Sequence, residues 1–221
     1  QIGEVKFMGI FDKRAHPYAG RLITFCGLDG CGKTTMIKWL KDYLAKKAGP
    51  EKIMLTKQPT PFIRQSAIFR NFMDESAHDA YDYRSLSLLA AGDRIQHSNK
   101  EIVPALRKGK WVISDRYFYS CLANLRARGY REDRWIYEIA EYIPKPDIAF
   151  FLDVGVDEAI RRVRSREEEK DSYIDIGLQY ALREEYLKIS AASGGIVISG
   201  EQPIQTEREH IKKIVDEVFN L

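Results

Sequence analysis

Lys33, Thr34, Asp115 and Arg116 are the residues of this chain whose types and spacing could do chemistry, and that chemistry is the handling of phosphates. Lys33 and Thr34 close the run Gly27-Leu28-Asp29-Gly30-Cys31-Gly32-Lys33-Thr34-Thr35, which matches G-x-x-x-x-G-K-[ST]. Its glycines let the backbone curl until several N–H groups point into one concavity, and the helix that follows, to about Lys46, adds its positive end. Lys33 would reach the outer phosphates of a nucleotide, and the Thr34 hydroxyl would ligate the Mg²⁺ that bridges them. Asp115-Arg116-Tyr117 directly follows the apolar run Trp111–Ser114. A carboxylate at a strand end can hold Mg²⁺ through its waters, and the guanidinium beside it can clamp two phosphates. Arg94, on a long helical stretch, is expected to face the same crevice.

A third stretch, Arg161-Arg162-Val163-Arg164-Ser165-Arg166, leads into Glu167-Glu168-Glu169-Lys170 between two helical segments. By charge pattern alone this is a solvated face. Its place between helices is that of a mobile lid, and phosphoryl transfer needs positive charge and exclusion of water at the migrating group. Cys31, inside the loop, is expected to react with alkylating reagents, and bound nucleotide should protect it.

Short apolar runs mark five strands: Leu22–Cys26, Ile53–Thr56, Trp111–Ser114, Ile148–Leu152 and Ile196–Ser199. Helical periodicity fills the gaps, over 33–46, 85–106, 157–168, 173–190 and 206–219. Strands alternating with helices specify a parallel sheet joined by right-handed crossovers. Continuously apolar strands require that both faces of that sheet be covered. Ligands then sit at the carboxyl ends of the strands, where Gly27, Lys57 and Asp115 all fall. The expected class is therefore α/β, a three-layer fold with a five-stranded parallel sheet, helices on both faces and a mobile lid at about 162–173. Residues 1–19 stand outside the pattern, with Val5–Phe11 an edge strand or a loose arm, and 20–221 form one domain.

A formal charge of +3 over 221 residues is too small to imply a nucleic-acid partner. No apolar run approaches the roughly 20 residues that span a bilayer, so no membrane is expected. Three cysteines (Cys26, Cys31, Cys121) without metal spacing point to free thiols and a cytoplasmic setting.

From about Arg21 to Leu221 the chain resembles the thymidylate kinase family of nucleoside monophosphate kinases, which share the phosphate-loop NTPase fold. The matching stretches are GLDGCGKTT (27–35), TKQP (56–59), LLAAGDRIQHSNKEIVPALRKGKWVISDRY (88–117) and PDIAFFLDV (146–154). The resemblance implies transfer of the γ-phosphoryl of ATP to a nucleoside monophosphate, with Mg²⁺ at Thr34 and Asp115, and a homodimer. Gly27, Asp29, Gly30, Cys31, Gly32, Lys33, Thr34, Thr35 and Ser199 would surround ATP. Asp29 would also bond the 3′-hydroxyl of the acceptor sugar, Arg94 its base, and Arg116 the phosphates of both substrates. Gly30 stands where some members carry an arginine, and such loops go with a lid that supplies the charge, here from Arg162, Arg164 and Arg166.

The chain departs from the family's pattern around the acceptor. Ala90 replaces the phenylalanine that stacks on thymine, and Asn124 and Leu125 replace an aromatic residue and a glutamine. Lys57-Gln58-Pro59 replaces the arginine-containing triplet after the second strand, which leaves Lys57 or Arg64 to meet the acceptor phosphate. An aromatic stack contributes about 1–3 kcal/mol per base. The expectation is that thymidylate is a weak substrate and that another monophosphate exceeds it. The alternatives are a kinase for a modified nucleotide or other phosphate ester, or a nucleotide-binding regulator without turnover.

Overall fold

Strand β1 (Arg21–Cys26) is buried from Leu22 onward, because a β-rich apolar run with neighbours on both edges and both faces leaves no side for water. The computed structural model describes residues 15–73, 81–167 and 174–221. Around β1 lie β2 (Ile53–Lys57), β3 (Trp111–Asp115), β4 (Ile148–Asp153) and β5 (Ile196–Ser199), all parallel, in the order β2-β3-β1-β4-β5. The five strands stand where the apolar runs put them. The chain leaves β1 toward β2 on one side and reaches β4 on the other, so the crevice at the carboxyl end of β1 is the switch point where such sheets bind ligands.

The helices among the described residues are α1 (Lys33–Ala48), α2 (Pro61–Arg64), α3 (Ala67–Met73), α4 (Tyr83–His97), α5 (Val103–Arg107), α6 (Phe118–Ala127), α7 (Trp135–Ile139), α8 (Val156–Arg164), α9 (Ile176–Ser193) and α10 (Ile204–Phe219). The helix expected over 85–106 is two. Between α4 and α5 the turn widens over Ser98–Ile102, where the Val103 N–H reaches back to Ser98 O. Pro104 has no N–H to give and its ring crowds the carbonyl four residues back, and the wider turn relieves both. Helix α6 was not expected: its residues from Phe118 to Ala123 are all buried, so it lacks the one-sided stripe that marks a surface helix. Helix α9 starts at the Asp175 cap, whose carboxylate accepts from Leu178 N at 2.9 Å.

Residues 1–14, with the edge strand or loose arm expected at Val5–Phe11, and residues 168–173 of the expected lid lie outside the described residues. The end of the expected arm is docked: His16 Nε2 lies 3.0 Å from Asp147 Oδ2, which also accepts from Leu22 N at 2.7 Å. No described helix is long and apolar enough to cross a membrane.

Helices α6 and α9 pack together beneath the crevice and share a buried ion pair. The Glu185 carboxylate is 2% exposed and meets Arg126 Nε at 3.0 Å and Arg131 Nη2 at 3.1 Å. Replacing Glu185 with Ala removes the buried carboxylate that Arg126 and Arg131 share. It should lower unfolding free energy by about 1.5–3 kcal/mol in denaturant titrations. An unchanged midpoint would show that this pair does not hold the two helices together.

Candidate active site

The loop after β1 is shaped by what its glycines approach. Gly30 has φ +85°, and a Cβ there would lie 2.2 Å from the Ala159 carbonyl oxygen in α8; Gly27, at φ +135°, would meet Leu152 O at 2.4 Å. No side chain fits at position 30, so the loop arginine of other proteins has no place here. Helix α1 then begins with no side chain capping its first turn, and no acidic residue lies in that turn. Its N–H groups are left for an anion. Lys33 is 6% exposed and folds back over the loop, donating to Leu28 O at 2.7 Å and Gly27 O at 3.2 Å. Thr34 and Thr35 are exposed and line a cavity of about 340 Å³ with Lys38, Trp39, Asp42 and Arg208.

β3 delivers the second cluster. Parallel register sets Phe25 beside Asp115, and Arg116 N donates to Phe25 O at 2.8 Å, so the two strand ends are joined where they open. Arg116 has φ 64°, a left-handed backbone rare outside glycine, and Ser114 Oγ secures it by donating to Arg116 O at 2.7 Å. The guanidinium then spans the crevice, donating to Asp29 Oδ1 at 2.7 Å, to Tyr186 Oη at 3.0 Å and to Gly27 O at 3.3 Å. Arg116, then Lys33 and Lys57, hold the Asp29 carboxyl well below the usual carboxylate range. Burial works against the charge on Arg116, and Asp29, Tyr186 and Asp115 outweigh it, so the group stays cationic.

Asp115 meets Lys57 Nζ at 3.2 Å through Oδ2, whereas its Oδ1 is buried with no partner among the described residues. A buried carboxylate oxygen with a lone pair to spare is the kind of donor that fits a hydrated divalent cation. The turn that carries Lys57 is sewn in place. Gln58 N donates to Asp115 O at 3.0 Å, the Gln58 amide and the Thr56 hydroxyl lie 3.0 and 2.8 Å from the His97 ring nitrogens, and Asp93 accepts from Thr60 N at 2.8 Å. Arg64 is anchored to Pro59 O at 2.9 Å; burial, then Arg116, lowers its hold on its proton. Arg94 is 3% exposed, with Nη1 on Ala90 O at 2.9 Å and Nε buried without a partner among the described residues. Electrostatically, Arg64 senses Arg116, Asp115, Asp29 and Arg94, which puts the acceptor-side charges of the sequence analysis in one neighbourhood.

Not every expected residue is brought there. Leu125 is 0% exposed in the core and offers no surface to a ligand. Asn124 spends its amide on its own helix, donating to Ser120 O and accepting from Arg128 Nη1, both at 2.9 Å. Cys31 is 1% exposed with its sulfur packed against Gly27 and 3.6 Å from Lys33 Nζ, so the thiol is enclosed rather than presented for alkylation. Cys26 is enclosed too, and burial pushes its thiol up to about 11. On the donor side, Ser199 is exposed at the end of β5, and Gly200 N donates to Asp153 O at 2.7 Å. Arg162 is committed to Glu158 at 2.6 Å and Gly200 O at 3.0 Å, while Arg164 and Arg166 are exposed.

The sequence pattern missed Tyr186 and Arg208. Tyr186 sits on the core stripe of α9 between Leu182 and Ile189, where a hydroxyl among apolar residues was the available signal. The Nε of Arg208 is buried without a partner among the described residues, at the cavity beside Thr35, and no motif marks it.

Comparison with known proteins agrees with this geometry. The family model described as thymidylate kinase matches residues 25–211. A protein of Pyrococcus horikoshii named "Probable thymidylate kinase" is 39% identical, over 77% of this chain and 83% of its own length. A "Thymidylate kinase" of Prochlorococcus marinus is 36% identical, over 89% and 98%. The crystal structure of thymidylate kinase from Ehrlichia chaffeensis, 24% identical, superposes with a TM-score of 0.69 over 89% of this chain and 98% of that one, which establishes the shared fold.

Gly30→Ala forces a Cβ against the α8 backbone at a positive φ. It should weaken nucleotide binding at least ~10-fold by calorimetric titration, about 1.4 kcal/mol, and lower Tm by several degrees. Wild-type affinity in this variant would show that the loop does not need the shape described.

Proposed function

The chain belongs to the thymidylate kinase family, and from that premise we propose that it transfers the γ-phosphoryl of ATP to thymidylate. The observation that carries this is the gathering of Lys33, Lys57, Arg64 and Arg116 around Asp29 and Asp115 at the carboxyl ends of β1, β2 and β3, with Arg94 next to Arg64. Five cations set against Asp29, Asp115 and the nearby Asp93 leave an excess of positive charge that facing phosphate groups would neutralise. Lys33 and the loop N–H groups take the donor phosphates. Arg116 lies between donor and acceptor and stabilises the charge that spreads over the transferred group. Lys57, Arg64 and Arg94 hold the acceptor, with the Arg94 Nε, unpartnered among the described residues, available to it, and Asp29 meets the acceptor sugar when Arg116 turns to phosphate. Arg164 and Arg166, exposed beyond Val163, supply charge from the lid. Transfer is in line, with no covalent intermediate, and the work of the protein is positioning.

Thr34 and Asp115 would hold Mg²⁺, which supplies neutralisation of the phosphate oxygens when bound. Three buried free thiols support a reducing, cytoplasmic setting. A kinase for another phosphate ester and a regulator without turnover are not favoured: the relatives that carry the thymidylate kinase name match over 83% and 98% of their own length. Those names also weigh against thymidylate being a weak substrate despite Ala90.

A coupled assay with ATP and a panel of monophosphates tests the proposal. Thymidylate should give the highest kcat/KM, and Lys33→Ala should cut turnover at least ~10²-fold with the fold intact. Another acceptor exceeding thymidylate would overturn the substrate, and near-normal turnover by Lys33→Ala would overturn the loop's role.

We also propose a homodimer through the outer face of α4. Ser85, Leu88, Leu89, Gly92 and Gln96 are exposed there, with Leu88 at 50% and Leu89 at 43%, and the exposed Arg84 of the same helix pairs with Asp133 at 2.8 Å. The wild type should elute with twice the monomer mass in light-scattering chromatography, and Leu88→Glu with Leu89→Glu should elute as a monomer. A monomeric wild type, or an unaffected dimer in the variant, would contradict this face.

A further inference from the structure

Arg116 has three partners among the described residues, and two of them, Asp29 and Gly27, belong to the phosphate loop that faces the substrates. The third is Tyr186, which comes from a separate helix and from below. Its side chain is 4% exposed and its ring lies edge-on to Phe151, with centroids 6.4 Å apart. The hydroxyl accepts from Arg116 Nη1 at 3.0 Å and donates to Ser120 Oγ at 3.1 Å, so both its donor and an acceptor lone pair are in use. Burial pushes its pKa up to about 12, which keeps the group a neutral phenol while it holds a cation.

We propose that Tyr186 is a positioning residue for Arg116, its hydroxyl holding the guanidinium across the crevice while Asp29 and Gly27 release it to phosphate. The inference rests on the role proposed above for Arg116. When phosphates displace the Asp29 contact, Arg116 keeps one fixed point, and that point is anchored through Ser120 to α6. Without it, a guanidinium on a left-handed backbone would have to find its orientation anew in each turnover, and misplacement by about an ångström can lower rate ~10²-fold.

The test is a pair of substitutions in a double-mutant design. Tyr186→Phe keeps the ring that fills the core and removes only the hydroxyl. It should lower kcat by about 10- to 100-fold while the KM for ATP and for thymidylate stays within about twofold and Tm changes by no more than a few degrees. In the Arg116→Ala background the same substitution should have no further effect, because its action runs through the guanidinium. Equal losses from Tyr186→Phe in both backgrounds would overturn the proposal, as would an unchanged kcat or a rise in KM alone. Near-normal turnover by Arg116→Ala would instead overturn the site reading beneath it. If Tyr186→Phe proves unstable, Ser120→Ala removes the anchor on the other side of the hydroxyl, and the proposal requires a smaller loss of kcat that also vanishes without Arg116.

Discussion

Like charges crowd one crevice of this protein, and the rest of the structure is arranged around keeping them there. Lys33, Lys57, Arg64, Arg94 and Arg116 repel one another across the open ends of three strands. Each is held by something local: loop carbonyls for Lys33, Asp115 for Lys57, the Pro59 carbonyl for Arg64, a helix carbonyl for Arg94, and Asp29 with Tyr186 for Arg116. These holds are unequal. The Asp29 side chain is 75% exposed and holds Arg116 from the open side of the crevice, where an incoming phosphate can replace it. The Tyr186 bond comes from the inner side, from a phenol that is 4% exposed and is itself bonded to Ser120 in the interior. A phosphate entering the crevice therefore meets a guanidinium whose outer partner yields and whose inner partner does not.

The fold supplies the rigidity this requires. Register between β1 and β3 puts Phe25 beside Asp115, so the phosphate loop and the Asp115-Arg116 pair open from adjacent strands at one level. β2 lies on the far edge of β3 and brings Lys57 level with Asp115. β4 and α8 close the other side, where Ala159 and Leu152 press against the loop so tightly that only glycine serves at 30 and 27. The sheet thus fixes three chemical groups from distant parts of the sequence, and its buried strands leave them little freedom to separate.

Much of this was legible in the sequence because the signals were local. The glycine–lysine–threonine run, the five apolar strands and the acidic–basic pair after β3 each carry their meaning within a few residues, and all stand where expected. What failed was longer-ranged. Helix α6 is apolar nearly all round and so shows no period; Leu125, assigned to the acceptor by likeness to a family motif, points into that helix's packed side. Cys31 belongs to a loop whose backbone faces the ligand while its side chain faces inward, a distinction that spacing cannot make. Tyr186 and Arg208 lie in helices remote in sequence from the loop they adjoin, and only the folded chain brings them to it.

The central claim is that one crevice binds donor and acceptor phosphates together, with Arg116 between them. The most direct measurement is calorimetric titration with adenosine and thymidine joined through a chain of five phosphates, which occupies both halves at once. The account predicts one molecule bound per chain, at least ~10²-fold tighter than ATP or thymidylate alone. Arg116→Ala should lose most of that advantage. Binding no tighter than ATP, or an Arg116→Ala variant that binds the linked compound as well as the wild type, would contradict it.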